Sequence, residues 1–163
     1  MGIVVSNDSD IFVTYMPNGI AFDKQCININ LNSRGIINKP CEAWWGSPLD
    51  AEYGWKEWCE SEEFGNYDFD NPIQWKLKSN TNILQIDMDD IIDYEHRLLK
   101  YIDRISTLDR SLNFYRLLDD NISTVQLMDA CIGHAFINRI ELMFNGWDCE
   151  SICVLDKDVI EFI

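Results

Sequence analysis

The stretch Ile73-Gln74-Trp75-Lys76-Leu77-Lys78 alternates apolar and polar residues without a fault. A period of two puts every apolar side chain on one face, which predicts a half-buried strand. Ser79-Asn80-Thr81-Asn82 reads as a turn, and Ile83-Leu84-Gln85-Ile86-Asp87 returns as a second strand. The two predict a hairpin or strand pair. Three more strands follow from the same reasoning. Ile11 to Tyr15 ends at the turn Pro17-Asn18-Gly19. Cys26 to Leu31 alternates strictly before a turn at Asn32 to Gly35, and Ala43 to Gly46 is a short apolar run.

Helical periodicity appears in four places. Ser47-Pro48-Leu49-Asp50 has the form of a helix start, with a capping hydroxyl, proline at the first helical position and an acid three residues on. Trp55, Trp58 and Cys59 then fall on one face. Residues 89–105 carry Ile91, Tyr94, Leu98, Tyr101 and Ile105 at steps of three and four, behind Asp89 and Asp90 at the positive end of the helix dipole. Leu108, Leu112, Tyr115 and Leu118 predict a helix from Thr107 to Leu118. Ser123 is the expected cap of another that runs to about Phe136. Near the end, Arg139 to Phe144 and Ser151 to Leu155 form an expected strand pair, and Val159 to Ile163 is apolar enough to pack.

Strands, helix, strand pair, helices and strand pair in that order lack sustained βαβ alternation. The expectation is one α+β domain over residues 1–163, with a mixed or antiparallel sheet flanked by three to four helices. At 163 residues, 47% of them hydrophobic, the chain can bury a sizeable core. No run approaches the roughly 18 apolar residues of a membrane span. The first residues lack the basic region of an export signal.

The charge excludes one class of partner. Twenty-eight acids against 13 bases give −15, which repels phosphate backbones, so direct nucleic-acid binding is not expected. The same charge keeps a protein in solution, or docks it on a basic groove where it competes with nucleic acid. The six cysteines form no Cys-x-x-Cys pair and there are two histidines, so a zinc site is not expected. Free thiols in a reduced, cytoplasmic protein are the simplest expectation.

Asp148-Cys149-Glu150 places two carboxylates, two residues apart, in front of the strand Ser151 to Leu155. Carboxylates on one side of a strand raise each other's pKa, and they suit a site that holds a sugar hydroxyl and stabilises a developing cation. A solvated turn is the plain alternative, because acid-x-acid also occurs at Asp87-Met88-Asp89 and Asp156-Lys157-Asp158. Glu141, flanked by Ile140 and Leu142, is a competing acid. Trp44, Trp45, Trp55 and Trp58 can wall a pocket or build a core; the adjacent pair must face opposite ways in a strand. Ser47 is a helix cap or a ligand-binding hydroxyl. His134 on an apolar face and His96 among charges form no nucleophilic triad.

Ala43-Trp44-Trp45-Gly46-Ser47-Pro48, the paired strands from Trp75 to Asp87, and Asp148-Cys149-Glu150-Ser151-Ile152 together resemble the ADP-ribosyltransferase superfamily, in the small divergent forms carried by phages and bacteria. The resemblance implies a split, mixed sheet that binds NAD in its cleft. It implies that Glu150 binds the nicotinamide ribose and stabilises an oxocarbenium-like transition state. Asp148 would orient the acceptor, and Ser47 would be the supporting hydroxyl of the middle strand, beside Trp45. The family's first strand supplies an Arg or His that grips NAD; here that strand offers Thr14 and Tyr15, with Arg34 of the next loop as the substitute. The implied activity is transfer of ADP-ribose to a macromolecular target, as by a phage effector on a host protein with a basic surface. A second expectation comes from composition: a non-enzymatic acidic inhibitor or adaptor that occupies a basic, nucleic-acid-binding groove of a partner protein.

Overall fold

The computed structural model describes residues 2–34, 40–87, 99–104, 110–128 and 147–163. Its centre is an eight-stranded mixed sheet. The strands are β1 (Gly2–Val5), β2 (Phe12–Thr14), β5 (Trp44–Pro48), β6 (Ile73–Leu77), β7 (Asn82–Ile86), β10 (Ile122–Leu127), β11 (Ser151–Val154) and β12 (Ile160–Phe162). They lie in the order β1-β7-β10-β11-β5-β2-β6-β12. Two hairpins stand apart, β3 (Asn30–Arg34) with β4 (Pro40–Glu42), and β8 (Ile102–Arg104) with β9 (Arg110–Leu112). Two α-helices are present among the described residues, α1 (Trp55–Ser61) and α2 (Phe114–Asp119).

The sheet divides at β5. Trp44, Trp45 and Gly46 pair with Val154, Cys153 and Ile152 of β11. Ser47 and Pro48 pair instead with Val13 and Phe12 of β2. Gly46 stands at the change of partner because a side chain does not fit there. A Cβ would lie 2.7 Å from the Trp75 ring and 2.8 Å from the Val13 carbonyl oxygen. Thr14 secures the crossing: its hydroxyl donates to the Trp45 carbonyl at 2.6 Å and accepts the Trp75 indole N–H at 2.9 Å.

Side-chain alternation builds a core on each face of the larger half. On β11, Cys153 packs into one core, Ile152 and Val154 into the other. The first core gathers Leu84, Ile86, Val125, Leu127 and Trp147 under α2 and the β8–β9 hairpin. The second gathers Phe12, Trp75, Leu77, Ile83 and Ile160 between β7, β11 and the smaller half. Ile122 joins Val125 and Leu127 despite its odd spacing because the register slips between Ile122 and Thr124. β7 and β10 are parallel, and the long connection between them carries the β8–β9 hairpin and α2 over the first core.

Several expectations are corrected. Two short α-helices replace the three to four expected among the described residues. The helix expected at Ser47 starts at Trp55, because Ser47 and Pro48 are committed to the β2 pairing. Residues 102–104 and 110–112, expected to be helical, form a hairpin, and only Phe114–Asp119 of the second expected helix is one. The helix expected from Ser123 is strand β10 as far as Leu127. All six β10 residues are buried, and a strand buried on both faces gives no alternation to separate it from a helix. β6 and β7 are strands as expected but do not pair; they enter opposite halves of the sheet. Cys26, expected in a half-buried strand, ends an exposed 3-10 turn at Lys24–Cys26, capped by Asp23 accepting from the Gln25 N–H. The strand begins later, at Asn30, and covers the expected turn at residues 32–34. The expected strand over 139–144, with Glu141, lies outside the described residues, as do His96 and His134.

Candidate functional site

Ser47, at the end of β5, is 2% exposed. Its hydroxyl donates to the Glu150 carbonyl at 2.8 Å and accepts the Trp55 N–H at 2.9 Å. Trp55 is the first residue of α1, so Ser47 does satisfy a helix N-terminus, from eight positions away rather than from the position before it. Glu150 completes the joint. Its N–H donates to the Tyr53 carbonyl at 3.0 Å, and its Oε1 accepts the N–H groups of Glu52 and Tyr53 at 3.1 and 3.2 Å. The end of β5, the 52–55 turn and the residue before β11 are thereby locked together.

The local sequence explains the turn. Gly54 fits closely against Ser47, with a would-be Cβ 3.1 Å from the serine Cβ. Its N–H donates to Glu57 Oε2 at 3.0 Å, which secures the first turn of α1. Cys59 faces inward at 3% exposure. Burial pushes its thiol up to about 11, with the neighbouring Cys149 and the charge of Glu60 adding to the rise.

The other expected site residues divide. Asp148 is half-buried between buried Trp147 and buried Cys149, two positions before Glu150. Tyr15 follows β2 and sets its ring edge-on to Phe69 at 5.1 Å. Partial burial raises its hydroxyl pKa, and the carboxylates of Glu57 and Glu60 raise it further. The Glu57 carboxylate is also the one that accepts the Gly54 N–H. Trp45 turns away into the first core, where it meets Trp147 edge-on at 4.7 Å and donates its indole N–H to the Pro40 carbonyl at 3.0 Å. Trp44 faces the second core, so the adjacent tryptophans do point opposite ways. Arg34 ends β3 opposite Pro40, and its side chain lies outside the described residues.

Two further features lie apart from the joint. An open cavity of about 540 Å³ lies over Phe22 and Trp44, rimmed by Asp23 and Asn28, and includes none of Ser47, Asp148 or Glu150. Separately, Trp55, Trp58, Phe64, Tyr67, Phe69 and Tyr15 form a continuous run of ring contacts around α1. The legible signal for it was the spacing of Trp55 and Trp58 on one helical face; Phe64, Tyr67 and Phe69 stand in the acidic loop that follows. Among the described residues no cluster of His, Cys, Asp or Glu is arranged to hold a metal, and no helix is long and apolar enough to cross a membrane. Compared with known proteins, the chain matches no family model, no curated protein and no solved structure.

Proposed function

We propose that this chain is an ADP-ribosyltransferase-like protein that uses NAD to modify a macromolecular target. The observation that carries the reading is the joint between Ser47 and Glu150 at the point where the sheet divides. Of the three segments that bear the resemblance, β5 and the 148–150 turn into β11 are neighbours there, while the third, Trp75 to Asp87, sends β6 and β7 into opposite halves of the sheet. NAD is the substrate in this reading. The bond between nicotinamide and ribose breaks, nicotinamide leaves with the electron pair, and an acceptor nucleophile bonds to the ribose carbon and loses its proton.

The residues present divide that work. Both bonds to the Glu150 carboxylate fall on Oε1, which leaves Oε2 for a ribose hydroxyl and keeps a negative charge beside the developing cation. The fixed 52–53 turn holds that carboxylate in one orientation, so it needs no reorganisation during the reaction. Ser47 is committed to two bonds and positions Glu150 rather than gripping substrate. Asp148, two positions before Glu150, is the residue to which the resemblance gives the orienting of the acceptor. Tyr15 is the aromatic group on this side, while Trp45 supports the strand from the core. The cysteine usage suggests a reducing, cytoplasmic setting, and the resemblance suggests, for a phage effector, a host protein as acceptor. Incubation with biotin-tagged NAD and a bacterial lysate tests the reading: a labelled band with wild type and none with Glu150→Gln supports it, and labelling that survives the substitution overturns the assignment of Glu150.

A second reading has its own observation. Between Asp50 and Asp70 stand eight carboxylates and one lysine. Six of the eight acids are exposed. A surface of this sign fits an acidic inhibitor or adaptor that occupies a basic groove on a partner protein. The two readings are compatible, because a transferase must also hold its target.

A further inference from the structure

We propose that the α1 face is a docking surface for an arginine-rich segment of a protein partner, read by stacked aromatic rings in a segment rich in carboxylates. This rests on the reading of the acidic surface as one that engages a basic protein.

None of the six rings around α1 belongs to either core. Trp55 and Trp58 stack with centroids 4.9 Å apart and planes at 20°, one helical turn from each other. Phe64 leans on Trp58 at 5.0 Å and is 48% exposed. Tyr67 meets Trp55 at 5.7 Å, and Phe69 carries the run to Tyr15. Partly exposed large rings in one contiguous patch mark an interaction surface more often than a solvated face.

The patch is also held in shape. The Asp68 N–H donates to the Met16 carbonyl at 2.9 Å and the Asn18 N–H to the Asn66 carbonyl at 2.8 Å, so the 62–71 loop is pinned to the end of β2. The Asp68 carboxylate accepts from the Asn71 amide at 2.9 and 3.0 Å, closing the loop on itself. Rings fixed before binding lose little freedom on contact.

Charge then selects the occupant. Glu57, Glu60, Glu62, Glu63, Asp68 and Asp70 share this segment with the rings, so an apolar or anionic partner is repelled or left unsatisfied. Arginine matches both parts of the surface. Its planar guanidinium stacks on an aromatic face while its fork of N–H donors meets carboxylates, whereas a lysine ammonium is a compact, strongly hydrated charge. The 52–53 turn that Glu150 holds leads along the chain into α1 at Trp55.

Fluorescent deca-arginine and deca-lysine peptides, titrated with the full chain near 0.1 M salt, test this. The expected result is binding of deca-arginine at least about fivefold tighter than deca-lysine. Trp58→Ala and, at the exposed position, Phe64→Ser should each narrow the difference while leaving deca-lysine binding unchanged; Phe64→Ser keeps the test valid if Trp58→Ala disturbs folding. Equal binding of the two peptides, insensitive to both substitutions, overturns the arginine surface and leaves the acidic-binder reading standing. Absence of binding by either peptide overturns both. Self-association of the chain that Phe64→Ser abolishes assigns the face to a second copy and likewise overturns the proposal.

Discussion

The hydroxyl of Ser47 and the main-chain carbonyl of Glu150 are joined by a 2.8 Å hydrogen bond, across 103 positions of sequence, at the place where the central sheet changes partners. The same hydroxyl accepts the first N–H of α1. One buried oxygen therefore ties together the strand, the helix and the acid on which the proposed chemistry depends.

Ser47→Ala leaves the Trp55 N–H and the Glu150 carbonyl without this partner. The expected cost is about 1–3 kcal/mol, because each is a polar group that has lost its hydrogen bond in a buried place. Urea unfolding of wild type and variant measures it. A loss below about 0.5 kcal/mol would show that water or local rearrangement replaces the hydroxyl.

Glu150 separates structure from chemistry by the choice of replacement. Glutamine retains an oxygen that can accept from the Glu52 and Tyr53 N–H groups, so Glu150→Gln should stay within about 1 kcal/mol of wild type. Alanine removes the acceptor, and Glu150→Ala should cost about 1–3 kcal/mol and increase amide exchange at residues 52 and 53. Equal stability of the two variants would contradict a structural role for Oε1.

Gly46→Ala should destabilise by about 1–3 kcal/mol through overpacking. The added methyl meets the Trp75 ring at 2.7 Å and the Val13 carbonyl oxygen at 2.8 Å, and the second contact is backbone that side-chain rotation cannot relieve. The near-ultraviolet circular dichroism of the tryptophans should change along with the lowered midpoint. An unaltered spectrum and midpoint would mean that β5 and β2 approach less closely at the crossing.

The buried thiol of Cys59 gives a pH dependence with a definite sign. Its folded pKa, about 11, lies above the ordinary value of 9.0, so between the two the folded state holds a proton that the unfolded chain releases. The contribution is complete below about pH 9 and is lost as pH rises through 11. Tyr15, Tyr67 and Tyr101 are raised as well and add loss of the same sign. The difference between wild type and Cys59→Ala in urea midpoints at pH 8 and pH 10.5 isolates the thiol: the gap should shrink at the higher pH. A gap that widens would reverse the assignment.

Legibility in the sequence followed how much of each element faces solvent. β6, half-buried along one side, declares itself through Ile73, Trp75 and Leu77. β10 has no such alternation, and its Leu127 looks as much like a helical position as a strand position. The α1 start misled for a different reason. Ser47-Pro48 is sound helix-start chemistry, but β2 was free to pair with those residues, and tertiary pairing overrode the local preference. At the site, Ser47 and Glu150 were both legible as polar residues at strand ends. Their mutual contact was not, because nothing local connects residues so far apart. The aromatic run around α1 was half legible: the helical spacing of Trp55 and Trp58 put them on one face, while Phe64, Tyr67 and Phe69 reach that face only through the pinned loop.

The most direct test of the central claim is nicotinamide release from NAD by the purified chain with and without lysate protein, run beside Glu150→Gln of matched stability. The account predicts release by wild type that rises when an acceptor is present, together with loss of at least about a hundredfold in Glu150→Gln, the scale expected when one electrostatic contributor is removed from a transition state. Equal release by the two proteins, or none by either, would contradict it.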